Sequence, residues 1–134
     1  GKGSDTLFGH GGRDRLIGVD PAKKRPGRNE RDVLTGGGGR DLFVLGDRTT
    51  VYYDDGRNNT IGHSVYALIK DFSAGSGEKI QLKGRASDYR IGSAPKGTAG
   101  GRGIFLQTTG EDELIAIDKS NTGLALKSSA FRFV

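Results

Sequence analysis

Four aspartates keep a fixed phase along the first third of the chain. Asp5, Asp14, Asp32 and Asp41 are separated by 9, 18 and 9 residues. Each is followed two positions later by an apolar residue: Leu7, Leu16, Leu34 and Phe43. Glycine-rich runs precede three of them: Gly1-Lys2-Gly3-Ser4, Gly9-His10-Gly11-Gly12-Arg13 and Gly36-Gly37-Gly38-Gly39-Arg40. Side-chain carboxylates beside turns whose carbonyls face inward form an all-oxygen donor set, suited to a hard cation such as calcium, which takes about six to eight oxygens. Other chemistries are poorly provided for. There is no Cys, hence no thiolate ligand, thiol nucleophile or disulfide, and His10 and His63 are the only histidines. No HExxH, Ser/His/Asp spacing or nucleotide-binding loop occurs, so the chain is not expected to be an enzyme.

The spacing dictates the elements that would hold these residues. Gly36 to Val44 fits the calcium-binding repeat G-G-x-G-x-D-x-U-x, in which U is apolar. Gly9 to Ile17 fits with His10 in place of the second glycine, and Gly1 to Phe8 is the same unit lacking its first residue. Six glycine-rich residues make a tight turn, and the next three make a short strand whose apolar residue enters the core. Two repeats complete one coil, so turns 18 residues apart stack on one edge. The expected ligands are the carboxylates of Asp5, Asp14, Asp32 and Asp41 with carbonyls from the turns at Gly9, Gly11, Gly36 and Gly38. Without an ion these groups repel one another, so folding and binding should be coupled. Half of the 24 glycines lie before Asp47, in keeping with a turn-rich first segment.

The 18-residue gap between Asp14 and Asp32 has two readings. In register, Gly18 to Pro26 is a degenerate repeat that puts Lys23 at the metal position and Arg25 in the core, which is costly without partners. Alternatively, about nine residues near Val19 to Arg28 leave the coil as a basic loop, with Pro21 and Pro26 at turns and Lys23, Lys24 and Arg25 in solvent. The loop is preferred. It pairs Asp5 with Asp32 and Asp14 with Asp41, whereas the degenerate repeat pairs only Asp14 with Asp32.

After Gly46 the pattern changes to strands. Val51 to Tyr53, Tyr66 to Phe72 and Lys79 to Leu82 read as strands, Gly103 to Thr108 and Leu114 to Asp118 as a hairpin, and Phe131 to Val134 as a terminal strand. Gly92 to Arg102 reads as a loop, and no window carries a helical stripe. A coil of short strands needs its open end covered. The expected organisation is therefore one domain, 1–134, with repeats in 1–46, a basic loop near 19–28 and a β-rich cap in 47–134.

The run Gly36 to Asp47, GGGGRDLFVLGD, resembles the last repeat of the RTX, or hemolysin-type calcium-binding, proteins. The segment YALIKDF…EKIQLKG resembles the cap that follows such repeats, as in serralysin-like C-terminal domains, and LALKSSAFRFV resembles the terminal strand of that cap. The resemblance implies an all-β fold, a parallel β-roll (RTX solenoid) followed by a β-strand C-terminal cap. It also implies calcium in the turns, export through a type I secretion apparatus that reads a C-terminal signal, and folding on calcium outside the cell. By position, Asp71 matches a cap aspartate that often joins a further calcium site. Asp47, Asp54 and Asp55 are additional candidates in the linking strands.

Starting at a glycine inside a repeat, the chain is expected to be the tail of a longer secreted or cell-surface protein. It departs from its likeness in three ways. The net charge is +5, where such modules are usually acidic, and Arg13, Arg31 and Arg40 directly precede aspartates. Glu78 stands where the cap often has Asp. The repeats are few. The cluster Lys23-Lys24-Arg25-Pro26-Gly27-Arg28 supports an alternative function, binding of an acidic polysaccharide or another polyanion with calcium in a structural role. Nucleic acid is not expected, because no aromatic residues interleave with the charge. No apolar run approaches the roughly 18 residues of a membrane span.

Overall fold

The computed structural model describes residues 1–57, 63–120 and 123–134. The chain is all-β. Among the described residues, helix is limited to two 3-10 turns, Ala74–Ser76 and Ala86–Asp88. The first segment contains β1 (Thr6–Phe8), β2 (Gly11–Gly12), β3 (Arg15–Leu16), β4 (Arg31–Thr35), β5 (Gly38–Gly39) and β6 (Leu42–Val44). The second contains β7 (Tyr66–Ile69), β8 (Lys79–Leu82), β9 (Tyr89–Ser93), β10 (Arg102–Leu106), β11 (Glu113–Asp118) and β12 (Phe131–Phe133).

These strands form three sheets, ordered β1-β4-β7-β11-β10-β9, β12-β8-β6-β3 and β2-β5. The first six visit the sheets in rotation, and each of β1, β2 and β3 lies parallel to its counterpart in β4, β5 and β6, with Thr6 beside Val33, Gly11 beside Gly38 and Arg15 beside Leu42. Asp5 and Asp32 are thus neighbours, as are Asp14 and Asp41, each pair 27 residues apart. That separation is one coil plus nine residues, which is the looped-out alternative. The loop is only partly on the surface, however. Val19, Pro26 and Gly27 are buried, whereas Lys24 and Arg25 are exposed.

The rotation continues through β7 and β8, which add to the two larger sheets in parallel. β11 and β12 extend them again, and β10 and β9 close the larger sheet antiparallel. The apolar residue of each repeat lands in a continuous row. Leu16, Phe43, Ile80 and Phe131 are successive neighbours in one sheet, and Leu7, Leu34 and Ile69 in the other. One buried apolar cluster runs from Leu16 to Phe131.

Three expectations are corrected. Val51 to Tyr53 is not a strand. Only Val51 bridges, to Gly46, and Tyr53 has φ +62, which breaks an extended run. The strand beginning at Tyr66 ends at Ile69 rather than Phe72, because Asp71 turns to accept N–H bonds from Gly36 and Gly37. Gly92 and Ser93 belong to β9, so the loop there is shorter than expected.

The stacked turns make unequal demands on their glycines. Gly39 has φ +126, and a Cβ there would overlap the Gly12 carbonyl, whereas a Cβ on Gly11 would meet nothing within 4 Å. Gly39→Ala should therefore destabilise the fold by about 1–3 kcal/mol in urea melts, and Gly11→Ala should stay within about 0.5 kcal/mol of the parent.

Candidate functional site

Each larger sheet carries one column of acids at the entry to its strands. In the sheet containing β3, β6 and β8, the first residues Arg15, Leu42 and Lys79 are side by side. Asp14, Asp41 and Glu78 each stand one position earlier, so the three acidic residues form a column along the strand entries. Asp41 is 2 % exposed and Glu78 likewise 2 %. Asp41 Oδ1 accepts the Asp14 N–H at 2.9 Å. The second oxygens, Asp14 Oδ2 and Asp41 Oδ2, are buried with no hydrogen-bond partner.

Glycine is required beneath this column because the carboxylates fold back over the turns. A Cβ on Gly9 would lie 2.6 Å from the Gly36 carbonyl oxygen and 2.8 Å from Asp14 Oδ2, and one on Gly36 would run into Asp41 Oδ2. Each carboxylate therefore packs tightly onto the glycine that opens its own turn. Burial pushes the Glu78 carboxyl up from its ordinary range, and the charges of Asp71, Asp41 and Asp118 add to the rise against the Ser73 N–H bond that opposes it. The donors here are all oxygens, the kind a hard cation prefers, whereas among the described residues the acids whose ligand atoms close to within 4.8 Å of one another are Asp54, Asp55 and Glu113.

The other column is built alike but finished differently. Asp32 is fully buried, and its Oδ1 accepts the Asp5 N–H at 2.7 Å, as Asp41 does from Asp14. Its Oδ2, however, accepts the Tyr53 hydroxyl at 2.6 Å. Burial and the Asp32 carboxylate push the Tyr53 hydroxyl well above the usual phenol range, so it stays a donor. Beside it, Glu30 Oε1 accepts the Gly3 N–H at 2.9 Å and pairs with the Lys23 ammonium at 2.7 Å. Burial opposes the Glu30 charge, but Lys23 and the Gly3 N–H outweigh it and hold the carboxyl below its ordinary value. Lys23 is thus not the solvated loop residue its sequence suggests. The column then runs out of acids, since the neighbour of Asp32 on β7 is Ala67.

The remaining candidates separate. Asp71 holds the turn at Gly36 and Gly37 through N–H bonds of 2.9 and 2.8 Å, next to the acidic column. Gly11 and Gly38 lie in the exposed pair β2 and β5, outside it. Asp47 serves a turn of its own, with Oδ1 accepting from Thr49 N–H, Thr49 Oγ1 and Thr50 N–H, and Oδ2 accepting from the Tyr52 hydroxyl at 2.9 Å. The Thr49 hydroxyl bond leads the causes that bring its carboxyl down to about 2. Sequence reasoning missed Glu78 as a column member, although Glu78-Lys79-Ile80 repeats the acid-x-apolar spacing of Asp41-Leu42-Phe43. It also missed Asp118, a buried β11 residue whose Oδ2 has no partner.

Compared with known protein families and with curated proteins, the chain matches no family model and no curated sequence.

Tyr53→Phe should cost about 1–3 kcal/mol in a denaturant melt, since it strands Asp32 Oδ2 without a donor. The Asp47 turn carries a pH signature. A carboxyl depressed in the fold contributes stability that is present above its ordinary value of 3.8 and lost as pH falls toward about 2. Asp47→Asn should flatten that acid limb in thermal melts between these pH values.

Proposed function

We propose that this chain is a calcium-binding module of the RTX type, a short β-roll closed by a β-strand cap, whose folding is coupled to calcium. The observation that carries this reading is the column Asp14–Asp41–Glu78, with Asp14 Oδ2 and Asp41 Oδ2 buried, unpartnered and crowded onto Gly9 and Gly36. The parallel registers and the rotation of strands between sheets support the roll. The cation belongs to this column rather than to the Asp5–Asp32 column, where Tyr53 already satisfies Asp32. Secretion through a type I apparatus and calcium-triggered folding outside the cell rest on the likeness of Gly36 to Asp47 and of the final strand to the RTX pattern.

In chelator the β signal in circular dichroism should be weak, and calcium should restore it. Asp41→Asn should weaken the calcium midpoint by at least about tenfold, equivalent to about 1.4 kcal/mol, whereas Asp5→Asn should leave the stoichiometry unchanged. A chain fully folded in chelator at low ionic strength would sink the coupling.

A second reading, polyanion binding, draws on a surface cleft of about 370 Å³ whose lining sets Lys24, Arg25 and Lys83 with Thr49 and Thr50 against a single acid, Asp54. It predicts salt-sensitive retention on a heparin-like polymer that is lost when Lys24, Arg25 and Lys83 become Ser. Retention unaltered by these substitutions removes it.

A further inference from the structure

A second group of acids lies outside the repeats. Asp54 and Asp55 follow Tyr53, and Glu113 opens β11. One carboxylate oxygen from each lies within 4.8 Å of the others. Glu113 has no exposed surface, and its Oε2 is buried without a hydrogen-bond partner, while Oε1 accepts the Asp55 N–H at 3.4 Å.

Two arrangements can relieve three acids so placed. Glu113 can hold a proton, which leaves two negative charges together, or the three can share a divalent cation, which leaves one. The donors are all oxygens, and Asp54 is only partly buried, so an ion has an entry and water can complete its shell. We propose that Asp54, Asp55 and Glu113 form a second divalent-cation site of the calcium class, independent of the repeat column. It fastens the turn after Tyr53 to β11, and so ties the residue that finishes the Asp32 column to the second half of the fold.

The test is calorimetric titration of the intact chain and of E113Q, D54N and D41N with calcium chloride, and separately with magnesium chloride. Glutamine imitates the protonated acid, so E113Q should fold in calcium as the parent does yet bind one calcium equivalent fewer. D54N, changed at a partly solvated position, should weaken that equivalent at least about tenfold and keeps the test decisive if E113Q fails to fold. D41N should retain this equivalent and weaken a different one at least about tenfold. Unchanged stoichiometry and affinity in both D54N and E113Q would overturn the proposal in favour of the shared proton. A D41N protein that binds like the parent, beside an E113Q protein that loses an equivalent, would instead overturn the repeat-site reading alone.

Discussion

Parallel strands hold equivalent residues about 4.8 Å apart, and in this chain one set of equivalent residues is acidic. Asp14, Asp41 and Glu78 enter adjacent strands at the same level. Asp41 thus has an acidic neighbour in register on each side. The geometry offers no escape, because the glycine turns press the acids inward and the apolar rows fix the register. Much else follows from this constraint. Gly9 and Gly36 are needed to make room, Asp71 holds the turn through the Gly36 and Gly37 N–H groups, and burial, with the charges of Asp71 and Asp41 added, raises the Glu78 carboxyl.

The opposite edge shows the same constraint met by the chain itself. Tyr53 donates to Asp32, and Lys23 neutralises Glu30. Both depend on the residues that leave the coil between β3 and β4. The loop brings Lys23 back against Glu30, and its closing residues Pro26 and Gly27 cradle Tyr53, whose N–H donates to the Pro26 carbonyl at 2.9 Å. Tyr53 takes a left-handed backbone conformation, φ +62, that a bulky residue adopts at a cost. The two bonds it makes there supply the compensation. The loop is therefore part of how one acidic edge is neutralised, beyond being an interruption of the repeats.

The repeats were legible because each unit combines a turn signal, an acid and an apolar residue at one phase, and the apolar rows realise that phase directly. The preferred 27-residue pairing was legible for an energetic reason, since the alternative buried Lys23 and Arg25. Tyr53 was not. Val51-Tyr52-Tyr53 has the composition of a strand, and nothing local announces a positive φ set by a contact with Pro26. Glu78 carries the repeat spacing, but its place beside Asp41 depends on how the chain returns from β7, which no short window contains. Glu113 looks like the polar start of a hairpin strand, and only the packing of the Asp54 turn against it reveals a buried acid.

The basic composition, at odds with a column of acids, is resolved by where the charges lie. Among the described residues, Glu30, Asp32, Asp41, Glu78, Glu113 and Asp118 are buried, and no Lys or Arg is. Arg13 and Arg40, beside the repeat aspartates in sequence, are exposed. In β4, alternation sends Arg31 to the face opposite the inward-facing Asp32. Charges in solvent are screened over about 10 Å at ordinary ionic strength, while buried ones are not. The net charge of +5 therefore describes the outer surface, which governs solubility and long-range encounter. What an ion entering the turns would meet is set by a few buried carboxylates, and there the sign is negative.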